Sequence, residues 1–147
     1  MEFHTFISAA TSLEKLGVRF IDQPGHSNKP SLVPVTLRSL RQLSYLDTSE
    51  ICPKYLIFPN LRVLSVMQRV DDIKAVSALH SRSHFSLEKL YLCHNFQFSA
   101  VAPFVETDAL RGLIHLHLEV DDTTASDWIT ALTVTPPPFA CFPTYRS

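Results

Sequence analysis

Glycine is scarce, with three residues in a chain of 147. Nucleotide-binding α/β folds place glycines where the backbone closes on phosphate. This chain has almost none to use, and neither G-x-G-x-x-G nor G-K-[ST] occurs. Charge is also sparse: charged residues make up 18% and the formal net charge is −1. That balance calls for neither nucleic acid nor an anionic membrane as partner. The three cysteines, Cys52, Cys93 and Cys141, are odd in number and form no C-x-x-C. They fit a reducing compartment with buried or incidental thiols, hence an intracellular protein, cytoplasmic or nuclear. No apolar run approaches the roughly 20 residues of a membrane helix. The start, MEFHTFISAA, has an acid at position 2 and no basic region or long apolar core, so no signal peptide is expected.

What is present is aliphatic. Hydrophobic residues reach 46%, and the length suits one globular domain with a sizeable core. The stretch SLEKLYLCHN reads L-x-x-L-x-L-x-x-N, and the same spacing recurs. Leu13, Leu16 and Val18 fit it, then Leu40, Leu43 and Tyr45, then Leu61, Leu64 and Val66. Leu87, Leu90 and Leu92 follow, and finally Leu113, Leu116 and Leu118. The middle leucines fall at 16, 43, 64, 90 and 116, so the intervals are 27, 21, 26 and 26. All lie in the 20–29-residue band of leucine-rich repeats.

The spacing has a physical meaning. In x-L-x-L the leucines share one face of a strand, and the leading leucine falls where the chain turns into it. One such unit cannot bury its apolar face alone, so the leucines are expected to stack in a ladder of parallel strands about 4.8 Å apart. Parallel strands need return crossovers. Ile73, Val76 and Leu79 lie at helical spacing within 72–79, with Asp71 or Asp72 as cap. Residues 99–106 form a weaker helix, because Pro103 suits only a first turn. Thr124 to Ile129 reads as a capping box with Asp127 in place of Glu, placing Trp128 in the core with Leu132. Phe3, Phe6, Ile7 and Ala10 make one helical face ahead of the first strand. Residues 22–36 read as a proline-broken loop, and 51–59 as room for a short extra strand. Asp121 and Asp122, like Asp71 and Asp72, suit turn and cap duty.

The expected fold is therefore an α/β leucine-rich-repeat solenoid, a horseshoe segment of about five parallel strands with outer helices. The alternative is a doubly wound parallel α/β sheet. A repeat domain over 1–134, with both ends uncapped, would precede a Pro-rich irregular tail at 135–147. The triple proline at 136–138 lacks a clear P-x-x-P and reads as linker or tail.

The combination of TSLEKL, a proline-rich loop, VTLRSLRQLSYL, CPKYLIFPNLRVLSV and a helix followed by SLEKLYL resembles the leucine-rich-repeat region of F-box proteins expanded in mushroom-forming fungi. The strand entry Phe58-Pro59-Asn60-Leu61-Arg62 matches that family's typical phrase. The resemblance spans roughly residues 3–134 and implies a solenoid that holds a target while an N-terminal F-box docks on a ubiquitin-ligase scaffold. This chain departs from the plan: there is no room for an F-box before the first repeat. The end, TVTPPPFACFPTYRS, has no L-x-x-L-x-L where the next copy should fall. A fragment is expected, and the ligase scaffold is not an expected partner of this chain alone.

Candidate functional residues follow from the alternation. Spacers between leucines point outward and make the expected partner surface: Lys15, Gly17, Arg19, Gln42, Ser44, Val63, Ser65, Lys89, Tyr91, Cys93, His115, His117 and Glu119. Aligned repeats set Lys89 beside His115, Tyr91 beside His117 and Cys93 beside Glu119. Cys93, His117 and Glu119 are the alternative, as a zinc site or a thiol nucleophile with a base. Against it, no C-x₂-C spacing exists and no oxyanion-hole glycine is at hand. The expectation is a non-catalytic protein-recognition module without cofactor or metal. A third reading is a truncated fragment with no function of its own.

Overall fold

The structure, a computed structural model, describes residues 3–19, 33–46, 55–67, 71–93 and 96–134. Among these, α1 covers Phe3–Ala9, β1 Lys15–Arg19, β2 Val35–Thr36, β3 Gln42–Leu46, β4 Leu56–Ile57 and β5 Val63–Val66. Then come α2 at Asp71–Ser83, β6 at Lys89–Leu92, α3 at Phe98–Val105, a 3₁₀ turn at Asp108–Leu110, β7 at His115–Leu118 and α4 at Asp122–Val134. The architecture is α/β, with a five-stranded parallel sheet flanked by helices. Its strand order is that of the chain, β1-β3-β5-β6-β7, and β2 pairs with β4 separately. Leu16, Leu43, Leu64, Leu90 and Leu116 are register partners in turn.

Strands β3, β5, β6 and β7 are entered through the same main-chain device. Two successive N–H groups donate to one carbonyl of the preceding strand's entry. Arg41 and Gln42 share the Glu14 oxygen at 2.8 and 3.0 Å, and Arg62 and Val63 share that of Arg41 at 2.9 and 3.0 Å. Glu88 and Lys89 share that of Arg62, and Ile114 and His115 that of Glu88. A carbonyl has two lone pairs, so no donor goes unpaired. Just before, a tight turn brings in the leading leucine: Leu13 N–H donates to Ala10, Leu40 to Leu37, Leu61 to Phe58 and Leu113 to Leu110. Leu37, Phe58 and Leu110, three residues ahead of the leading leucine, are each 1% exposed. They extend the inward pattern by one position, and the Asn60 side chain ties its turn to the Arg38 carbonyl at 2.8 Å.

The inward residues of the sheet meet the helices. Leu64, Val66, Leu90 and Leu92 are buried with Ile73, Val76 and Leu79 of α2 and with Val101 and Phe104 of α3. Helix α2 runs a turn beyond residue 79 because Ser83 also faces inward, where its hydroxyl accepts from the Phe58 N–H at 3.0 Å. Trp128 is buried as expected; its indole N–H donates to the Phe96 carbonyl at 2.8 Å and its ring meets Phe98 edge-on. The extra strand expected within 51–59 is β4.

Four expectations need correction. Pro103 lies inside α3, not in its first turn. Its ring is exposed, while Val101 and Phe104 are fully buried, so packing holds the segment helical against its propensity. Helix α4 is capped by Asp121, not Thr124: the Asp121 carboxylate accepts from the N–H groups of Thr123 and Thr124 at 3.1 and 2.9 Å. Phe6 is 49% exposed although Ile7 is fully buried, because adjacent helical residues point about 100° apart. Val35–Thr36, read as loop, is a strand because Leu56–Ile57 supplies its partner. The side chains of Asp71 and Asp72, and the tail at 135–147, lie outside the described residues. Among the described residues no helix is long and apolar enough to cross a membrane.

Candidate functional site

The outward residues of the strands form a continuous face that nothing covers among the described residues. One row across the sheet reads Lys15, Gln42, Val63, Lys89 and His115, and the next reads Gly17, Ser44, Ser65, Tyr91 and His117. None of these is buried, and a Cβ added at Gly17 would meet nothing within 4 Å. Cys93 and Glu119 follow in a third row, where Cys93 N–H donates to Val66 and Glu119 N–H to Leu92. Arg19 is the register partner of Leu46 in β1 and β3; its side chain lies outside those described. The alternation of spacers and leucines thus carries the candidate residues whose side chains are described to one side.

The far end of this face holds its most organised cluster. Tyr91 stands directly across from His117 and diagonally from His115. Its ring centroid lies 5.3 Å from that of His115 and 5.9 Å from that of His117, tilted by 39° and 40°. Cross-strand aromatic pairs of this kind hold each other in place. Lys89 stands exposed beside them. His117 Nε2 approaches Glu119 Oε1 at 3.9 Å, with both side chains about half exposed, a contact worth little by itself.

Two groups on this surface were not anticipated. Met67, one alternation past Ser65, is 41% exposed. The strand-entry row also borders the face, where Arg62 pairs with Glu88 at 3.4 Å, both nearly half exposed. Continuing the alternation one residue would have found Met67.

The surroundings of Cys93 bear on the alternative chemistry. Burial, then the charge of Glu119, pushes the Cys93 thiol up from its usual range. A nucleophilic cysteine needs the opposite shift. Among the described residues no three His, Cys, Asp or Glu side chains gather in a way that would hold a metal ion. No protein-family model, no curated protein and no solved structure matches this chain.

Proposed function

We infer that this chain is a non-catalytic protein-recognition module, a leucine-rich-repeat solenoid whose open sheet face takes a protein partner. The observation that carries the reading is the unbroken register of leucines from Leu16 to Leu116, which sends the described spacers to one face left open among the described residues. The sequential strand order supports a solenoid over a doubly wound sheet, whose order reverses part-way. Tyr91, fixed between His115 and His117 and flanked by Lys89, is the expected anchor, since aromatic residues are enriched at interface centres. The resemblance to F-box repeat regions makes the target-holding part of a ubiquitin-ligase receptor the biological setting.

Affinity capture with the full chain as bait, run beside Tyr91→Ala and Lys89→Glu, tests this reading. A partner retained by the unaltered chain and lost from the folded variants supports it. Capture that is indifferent to both substitutions overturns the assignment of the face.

A further inference from the structure

The last strand of the sheet is open. β7 pairs with β6 on one side, and among the described residues nothing pairs with its other side. His115 and Glu119 direct their N–H groups to Glu88 and Leu92 at 3.1 and 3.0 Å. Alternate residues of a parallel strand bond to opposite neighbours. The N–H and C=O groups of Leu116 and Leu118 therefore face the free edge. Their side chains are only half-buried, whereas Leu90 and Leu92, one strand back, are each 1% exposed. Leu132 of α4 lines the same small apolar recess as Leu116 and is itself 36% exposed. A bare apolar edge of this kind is a template for strand pairing.

We propose that a second copy of this chain covers the edge, β7 against β7 and antiparallel, with a two-fold axis through His117. The run His115-Leu116-His117-Leu118-Glu119 is self-complementary in that register. On the apolar face, Leu116 of each copy meets Leu118 of the other. These are the residues whose backbone groups face the edge, so each pair exchanges two N–H···O bonds. On the open face, His115 of each copy meets Glu119 of the other. Imidazole against carboxylate makes a cross-strand hydrogen bond. His117 lies on the axis, each ring beside its own Glu119.

A one-residue slip would oppose leucine to histidine and is excluded by the alternation. A two-residue slip toward the C-terminus would draw in Asp121, whose carboxylate already caps α4, and one toward the N-terminus would set His115 against His117 with no carboxylate partner. The chain's own residues 135–147 are the poorer occupant. Counted on by the preceding interval of 26, Pro143 would fall opposite His117, with no N–H to give the Leu116 carbonyl. The interface shares His115, His117 and Glu119 with the partner face, but sedimentation of the chain alone involves no partner, so its outcome is separate from that of the recognition reading.

Sedimentation of the full chain over a range of concentrations is the test. A monomer–dimer equilibrium is expected. Glu119→Lys weakens it by about tenfold, since the altered pair occurs twice, and adding His115→Glu restores it. With Cys52, Cys93 and Cys141 replaced by serine, His117→Cys cross-links to a dimer under mild oxidation, and Lys15→Cys at the opposite end of the sheet does not. Three outcomes overturn the interface. One is a chain that stays monomeric at every concentration. Another is assembly beyond a dimer. The third is a dimer that ignores both Glu119→Lys and the residue-117 cross-link.

Discussion

Tyr91 and His115 sit diagonally across neighbouring strands with ring centroids 5.3 Å apart and planes inclined at 39°. The contact orders the tyrosine, and on the proposed recognition reading that lowers the entropic cost of using it in binding. It involves no residue of the apolar layer, so the packed and the outward contacts separate on adjacent positions of β6.

Leu90 and Tyr91 make that separation measurable. Leu90 is 1% exposed, and Leu90→Ala should destabilise by about 2–5 kcal/mol through the cavity it leaves. Tyr91→Ala should change stability by about 0.5 kcal/mol or less, as for other surface substitutions. Urea midpoints of the two variants give the comparison. Equal losses would place Tyr91 on the wrong side of the sheet.

His80 should make the fold sensitive to acid. Burial, then the charge of His84, lowers its pKa from the ordinary 6.5, against opposing effects of Asp108 and a Phe85 backbone hydrogen bond. Its ring packs edge-on against Phe85 at 5.1 Å. Because the folded state binds the proton less readily than the unfolded chain, this stabilisation is complete above about pH 6.5 and is lost as pH falls through the lowered value. Urea titrations between pH 5 and 8 should show that slope. His80→Phe should flatten it, and an unchanged slope would assign the acid sensitivity elsewhere.

Arg82 on α2 should be replaceable with a gain. Its Nε and Nη2 are buried without a hydrogen-bond partner, and burial lowers the guanidinium pKa. An unpaired buried donor is unfavourable, by roughly 1–3 kcal/mol. Arg82→Met keeps the aliphatic stem and removes the orphaned donors, so the melting temperature should rise. A fall would mean that the guanidinium has a partner that a static picture omits.

The capping of α4 can be read out at three positions. Asp121→Ala removes the acceptor for two helix N–H groups and should cost about 1 kcal/mol. Asp127→Ala, in the first turn of a helix starting at Thr124 but mid-helix here, should cost little. Thr124→Ala falls between, since its hydroxyl reaches Asp121 Oδ1 at 2.8 Å. The reverse ranking of Asp121 and Asp127 would restore the later helix start.

The strand positions were legible because side chains of a strand alternate by geometry, so Leu64 and Leu90 announce their facing whatever surrounds them. Leu37, Phe58 and Leu110 were equally legible, as apolar residues three ahead of the leading leucine, but the pattern was read one step short. Pro103 and Thr124 misled for one reason. Local preference offers several places to start or stop a helix, and only burial of Phe104 or the end of β7 selects among them. The Tyr91–His115 contact is diagonal, so aligning repeats side by side points only to His117.

The shared entry carbonyls of Glu14, Arg41, Arg62 and Glu88 leave no trace in the sequence, since no side chain takes part. That indifference has an evolutionary side. Every joint between neighbouring strands is chemically the same, whether an acid or a base occupies it. A strand with its return segment can be duplicated or excised and the splice still closes, leaving the side chains at each joint free to diversify.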